Sequence, residues 1–310
     1  MRPAVYIPNL DGADHLRRAL AGLRAQTRPV DVVVVDNGSG DDSVGLVREE
    51  FPEVALLELR ENVGFGPALN RAVAEHPGDP VILLNNDAEP EPAFFEALLG
   101  ALDGEGTQMV AGVLVQERDP QLIDSAGVVA DRTLMGFDHL HGEPLEAART
   151  AADPLGPSGG AALYRRAAFE AVGGFDERIF LYYEDLDLAL RLAAGGGRCR
   201  LAPEARALHA YSASLGAAGG AKYARTGWSR AYMLRRYGVA SDPRLALRAL
   251  AAEAALCAGQ LLVDRTARGI DGRLRGWRDA ARLEQRELGD APLLDLSLRE
   301  ALRLRRRRRA

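Results

Sequence analysis

VDVVVVDNGSGDDS, residues 30 to 43, holds four consecutive valines, 32–35, that stop on Asp36 and pass directly into a turn of asparagine, glycine and serine. A β-branched run without polar alternation is what a strand buried on both faces requires, and such strands belong to parallel sheets covered by helices. Four further runs have the same character: PAVYIP (3–8), VALLEL (54–59), PVILLN (80–85) and MVAGVLV (109–115). Amphipathic stretches separate them. HLRRALAGLRAQ (15–26) sets Leu16, Leu20 and Leu23 on one helical face, and PALNRAVAEH (67–76) opens on a proline where a helix accepts one. Repeated β-α-β units predict an α/β fold, a doubly wound, mostly parallel sheet flanked by helices, with ligands beyond the carboxyl ends of the strands.

The segments at those ends are Asn9-Leu10-Asp11-Gly12, Asp36-Asn37-Gly38-Ser39, Asn62-Val63-Gly64-Phe65-Gly66 and Asn85-Asn86-Asp87. Each taken singly is an ordinary turn, because Asn, Asp and Gly are what turns use. Four on one sheet edge point to a ligand-binding rim. Asp87 ends a buried-looking strand beside two amides, an oxygen-rich set suited to a hard divalent cation. Its alternative role, capping a helix near Pro92, would place it a few residues too early.

Residues 116–157 are less regular, and GEPLEAARTAADPLGP (142–157) reads as a mobile loop over the sheet edge. GGAALYRRAAFEAVGGF (159–175) then gives a strand and a short helix, followed by LYYEDLDLALR (181–191). Its carboxylates Glu184, Asp185 and Asp187 start a helix, where the dipole alone favours negative charge. Asp187 stands four residues before Arg191, the spacing of a helical ion pair. Asp185 lacks such a partner and follows the aromatic pair Tyr182 and Tyr183, the setting of a general base. His209, after RCRLAP (198–203), is by itself as well explained by a surface or core role as by ligation.

Apolar residues make up 47% of the chain and charged ones 27%, an ordinary globular balance. Cys199 and Cys257 lie far apart, so no disulfide framework or zinc site is signalled and a reducing cytoplasm fits. No signal-peptide pattern opens the chain. LALRALAAEAALCAGQLLV (245–263) contains Arg248, Glu253 and Gln260 and reads as an amphipathic helix. The net charge of −5 hides an asymmetry: residues 222–310 hold 21 Lys+Arg against 10 Asp+Glu, net +11, and the remainder 18 against 34, net −16. That split describes an acidic working domain with a basic, helical arm ending in LRLRRRRRA (302–310). An anionic membrane surface is its expected partner, ahead of nucleic acid, which is not favoured; a solvated, arginine-biased face is the plainer reading.

Taken together, NLDG (9–12), VDNGSGDDS (35–43), ENVGF followed by Asn70, LLNNDAEPEP (83–92) and GGFDERIFLYYEDLDLALR (173–191) leading to PEARALH (203–209) resemble glycosyltransferase family 2, in particular its bacterial rhamnosyltransferase-like group. The order and spacing of the pieces match over about two thirds of the chain. The resemblance implies a GT-A fold over 1–221, with a nucleotide-sugar half at about 1–115 and an acceptor half at about 116–221, and a helical extension over 222–310. It implies inverting transfer of a sugar, rhamnose by analogy, from a nucleoside diphosphate donor to a hydroxyl of a saccharide or lipid-linked acceptor. The setting implied is cytoplasmic, peripheral on the inner face of the membrane. By the same resemblance, Asn9, Asp36, Asn62, Gly64, Asn70 and Asn86 bind the nucleotide sugar. Asp87 and His209 hold a divalent cation, Mn or Mg, with Asn85 as a weak third ligand, because Asn85 stands where the family's D-x-D element has its first acid. Asp185 is the catalytic base, and Glu184 contacts the acceptor or orients the base. Single-displacement inversion needs one base and a stabilised leaving group, which this set supplies. The alternatives are a sugar-phosphate nucleotidyltransferase, whose glycine-rich basic loop after the first strand is replaced here by Pro8-Asn9-Leu10-Asp11-Gly12, and a non-catalytic nucleotide-sugar-binding protein, for which Asn85 speaks.

Overall fold

The structure is a computed structural model that describes residues 1–210 and 219–307. Residues 211–218 and the end of the basic tail, 308–310, lie outside the described residues. The first units are β1 (Ala4–Asn9), α1 (Ala13–Arg24), β2 (Asp31–Asp36), α2 (Ser43–Glu50), β3 (Ala55–Glu58), α3 (Phe65–Glu75) and β4 (Val81–Leu84). Next come β5 (Ala88–Pro90), α4 (Phe94–Gly100), β6 (Thr107–Gln116), β7 (Ile123–Ser125), β8 (Val128–Ala130), β9 (Gly136–Asp138) and β10 (Ala161–Tyr164). The remainder is α5 (Arg166–Ala171), α6 (Glu184–Ala194), β11 (Arg198–His209), α7 (Gly220–Arg236), α8 (Pro243–Leu262), α9 (Arg268–Asp279) and α10 (Leu298–Arg307).

The main sheet runs β3-β2-β1-β4-β10-β6-β11-β5, with β7 added on β6. β3, β2, β1 and β4 are all parallel, as their continuous apolar sequences require. Alternate side chains enter the cores on opposite faces: Ala4 and Tyr6 on one side, Val5 and Ile7 on the other. The second half is mixed. β10 inserts antiparallel between β4 and β6, so β6 keeps the direction of β4 without touching it. This insertion turns the start of β10, and the loop 156–160 before it, onto the edge where β1, β2 and β4 end.

Two further pairings complete that edge. β11 follows β6 in parallel, shifts register between Leu201 and Arg206, and its last residues pair antiparallel with β5, His209 opposite Ala88. β7 folds back on the end of β6. The segment expected to be a mobile loop is hydrogen-bonded along its length: Ile123 accepts Gly142 and donates to Glu143, Leu145 donates to Gln121, and Val128 and Gly156 exchange both backbone bonds. Strands β8 and β9 form a small hairpin just before it.

The C-terminal helices pack on the same core, through Tyr232, Met233 and Ala249. α9 presents Gly269, Gly272 and Gly276 to α7; a Cβ at Gly272 would lie 2.0 Å from the carbonyl oxygen of Ala224 and one at Gly276 2.1 Å from that of Trp228. The two backbones touch.

Candidate active site

The strand-end turns meet as a network of amides. Asn86 Nδ2 donates to Asn9 Oδ1 at 2.7 Å, and Asn9 Nδ2 reaches Asp36 Oδ1 at 3.4 Å and Ser39 Oγ at 3.3 Å. Asp36 Oδ2 accepts the Ser39 amide at 3.0 Å, and all three of Asn9, Asp36 and Asn86 are buried. Asn37 Nδ2 donates to Asn62 Oδ1 and to the Gly64 carbonyl, and its own Oδ1 accepts the Val63 amide. Asn37 thus ties the second turn to the third.

Two residues expected in this rim are committed elsewhere. Asn70 makes a reciprocal pair with the backbone of Phe175, N–H to Oδ1 and Nδ2 to C=O, each 2.9 Å. It holds the loop that leads to α6. Gly64, at φ 98°, starts α3 against Phe180, whose carbonyl accepts the Phe65 amide; a Cβ at Gly64 would lie 2.6 Å from that oxygen. Only glycine fits there without moving Phe180.

At the far end of the rim, the β11–β5 pairing sets His209 Nε2 3.2 Å from Asp87 Oδ1 and 3.4 Å from Asn85 Nδ2. The other ring nitrogen, Nδ1, lies 2.7 Å from Asp124 Oδ2, on β7, and the second Asp124 oxygen meets His141 Nδ1 at 3.4 Å. Asp87 is followed by a strand rather than a helix, so it caps nothing. Burial works against charge on all of these groups, but the mutual contacts override it. The Asp124 carboxyl is held well below the usual range, that of Asp87 is lowered, and the His209 imidazole is pushed up to about 10.

The donor set suits a cation, whose binding would displace the proton between His209 Nε2 and Asp87. Asp87 and His209 converge from one side, and Asp124 sits behind His209 as the carboxylate that fixes ring orientation and tautomer in many metal sites. Among the described residues no group of three His, Cys, Asp or Glu gathers around one point. A cation held by Asp87 and His209 would take its remaining ligands from a bound diphosphate and water.

The other end of the site is the head of α6. Tyr182 and Tyr183 both adopt the left-handed region, φ 68° and 74°, an unusual backbone for consecutive aromatic residues. They hinge the chain so that the first turn of α6 points at loop 156–160. Asp185 is half-buried and accepts the amides of Leu186 at 2.7 Å and Gly159 at 3.3 Å. In the same loop the Gly160 carbonyl accepts the Asn85 amide at 3.1 Å, and a Cβ at Gly160 would press to 2.9 Å from Asn85 Nδ2. Asp185 and the Asp87 turn are therefore joined through two consecutive glycines.

Glu184 is 7% exposed, and its Oε2 is buried with no hydrogen-bond partner among the described residues. Asp187 is fully buried and far from solvent chemistry. The expected pair with Arg191 is present at 2.8 Å, and Tyr237 Oη donates at 2.9 Å. Arg286 joins from beyond α9, bridging Asp187 to Asp176, which also takes a bond from Tyr232.

The model of the glycosyl transferase family 2 matches residues 4–173, more than half of the chain. The chain belongs to glycosyltransferase family 2. It is 34% identical over 229 residues to the N-acetylglucosaminyl-diphospho-decaprenol L-rhamnosyltransferase of Mycobacterium tuberculosis, an alignment covering 65% of this chain and 74% of that one. It is 29% identical to the O-antigen biosynthesis protein RfbC of Myxococcus xanthus over 68% of this chain, which is 17% of that much longer protein. Among solved structures, the mannosyltransferase of Pyrobaculum calidifontis in complex with GDP-Man and Mn2+ matches with a TM-score of 0.54 at 20% identity, over 91% of this chain and 87% of that one. GalNAc-T7, solved with UDP, GalNAc and Mn2+, matches with a TM-score of 0.64 at 14% identity, over 92% and 55%. At these identities the likeness establishes the GT-A fold.

In this family 2 enzyme the buried Glu184 makes a prediction of its own. Burial, reinforced by the neighbouring Asp185 charge, raises its carboxyl from 4.5 to about 8. Between those values the unfolded chain releases a proton that the folded one keeps. Stability therefore falls as pH rises through this window and levels off above it. Glu184→Gln removes the burden: thermal unfolding should show no gain below pH 4.5 and a gain on the order of a few kcal/mol above pH 8. Parallel wild-type and variant profiles would show that Glu184 does not titrate this way.

Sequence reading did not single out Asp124, His141 or Arg286. None belongs to a recognisable motif, and each is brought to its partner by the fold.

Proposed function

We propose that the chain is a metal-assisted, inverting glycosyltransferase that moves a sugar, with rhamnose as the specific expectation, from a nucleoside diphosphate to a hydroxyl of a lipid-linked saccharide at the inner face of the cytoplasmic membrane. The named activity of the M. tuberculosis relative supports the sugar and the lipid-linked acceptor. The observation that carries the mechanism is the loop 159–160, which touches Asp185 with one residue and the Asp87 turn with the next.

In this reading the buried rim of Asn9, Asp36 and Asn86 receives the nucleotide, with Asn62 and Gly64 shaping the adjoining turn and Asn70 holding the acceptor-side loop. Asp87 and His209, with Asn85 as a neutral neighbour, hold a Mn or Mg ion, which when bound supplies positive charge to the leaving diphosphate. Asp185 removes the proton of the acceptor hydroxyl as its oxygen bonds to the anomeric carbon and the bond from that carbon to the diphosphate oxygen breaks. Glu184, uncharged near neutrality and bare on one oxygen, orients the acceptor or the base.

Release of nucleoside diphosphate from a panel of sugar nucleotides, with and without Mn or Mg, tests the reading. Cation-dependent release with a rhamnosyl donor is expected; pyrophosphate formed from a nucleoside triphosphate, or tight donor binding without turnover, would overturn it. Asp124→Asn leaves Asp87 and His209 in place but frees the ring. It should weaken cation affinity by about 10- to 100-fold, read by metal titration of nucleoside diphosphate binding.

A further inference from the structure

α8 is built inside out. Every exposed residue between 245 and 263 is leucine, alanine or valine, and the largest, Leu247, Leu250, Leu262 and Val263, are 67–80% exposed. Its polar residues face the protein instead. Glu253 is buried between Arg230 at 2.7 Å and Arg273 at 2.6 Å, Arg248 pairs with the buried Asp131 at 2.8 Å, and Gln260 is buried. Of the nine large hydrophobic side chains exposed among the described residues, all but Met1 lie at or beyond Leu247, including Leu274 and Trp277 on the adjacent α9.

An outward apolar strip roughly 24 Å long is costly in water and marks a surface that something apolar covers. Its surroundings identify the partner. Exposed Arg244 precedes the strip, exposed Arg265 and Arg268 follow it, and Arg278 adjoins Trp277, while Arg275 is paired with Asp271, within a region of net charge +11. Asp242, the acid at the start of α8, is engaged in capping the helix. A second copy of the same surface would bring like charge against like charge.

We propose that α8 docks the enzyme on an anionic lipid bilayer, lying flat with Leu247, Leu250, Leu261, Leu262 and Val263 among the acyl chains and the flanking arginines at the headgroups. At 20 residues it is long and apolar enough to cross a membrane, but crossing would strip Glu253, Arg248, Arg230 and Asp131 of their buried partners. The proposal deepens the reading of a lipid-linked acceptor, on which its placement in the reaction rests. The inner side of α8 packs Ala252 and Leu256 against Met135 and Phe137, and the intervening Gly136 backs onto Leu186 and Tyr183 at the head of α6. One thin layer thus separates the lipid-facing strip from Asp185.

Co-flotation of the full-length protein with phosphatidylcholine vesicles, with and without phosphatidylglycerol, tests the docking without reference to turnover. Binding should need the anionic lipid, weaken in high salt, and fall about tenfold or more in Leu250→Glu and again in Leu261→Glu, with unfolding temperatures unchanged because both side chains face outward. Release of bound protein by alkaline carbonate is expected of a flat-lying helix. Absence of binding to anionic vesicles, equal binding by folded Glu variants, resistance to carbonate, or a stable wild-type dimer that the variants convert to monomer would each overturn the proposal. Water-soluble acceptor analogues keep the two readings apart: both variants should use them at the wild-type rate if docking fails but transfer stands.

Discussion

Asp185→Asn should lower kcat by about 10²- to 10⁴-fold, the contribution of a positioned general base, while the affinity for nucleoside diphosphate stays within about twofold. The separation follows from geometry. Asp185 accepts the backbone amides of Leu186 and Gly159. An asparagine keeps an acceptor for these bonds but cannot take a proton. The nucleotide rim of Asn9, Asp36 and Asn86 is built on other strands and is not touched. Single-turnover kinetics with calorimetric donor binding are the measurement. Wild-type turnover in Asp185→Asn would remove the base from Asp185, and parallel loss of donor affinity would turn it into a scaffold residue.

Asp187→Asn acts on the fold. Its carboxylate, fully buried, faces Arg191, Arg286 and the Tyr237 hydroxyl. Neutralising it leaves two guanidinium groups, 11% and 19% exposed, short of a counter-charge. Breaking a buried pair from one side costs about 3–5 kcal/mol, and urea unfolding should show a loss of that order. Burial opposes the charge on Arg286, yet Asp187 and Asp176 hold its guanidinium firmly protonated. Removing both partners together, in Asp187→Leu with Arg286→Met, should therefore cost less than the sum of the single changes. Loss of turnover in a fully folded, undestabilised Asp187→Asn would instead place Asp187 in the chemistry.

Much of this molecule is legible in one dimension because local rules govern it. The apolar runs became β1, β2, β3, β4 and β6 within a residue or two, and Leu16, Leu20 and Leu23 are the buried face of α1 as their spacing requires. The polar turns lie on one edge because parallel strands must end together. The ion pair of Asp187 with Arg191 is four residues long and needed no fold to foresee. Asn70 was less legible, since its bidentate bond to Phe175 spans 105 positions and consumes the amide expected to meet a nucleotide.

The sequence by itself determined the winding of the first half of the sheet, the composition of its rim and the identity of the acids at the head of α6, because hydrophobic period, turn chemistry and helix-end electrostatics act over a few residues. Tertiary structure alone decided the antiparallel entry of β10, the β11–β5 pairing that sets His209 beside Asp87, and the placement of Asp124 behind it. It also decided which way α8 faces. Its few polar residues read as the solvent side of an amphipathic helix, yet Arg230 and Asp131 waited in the interior to pair with them, and a buried charge with a partner outweighs the exposure of leucines that another surface can cover.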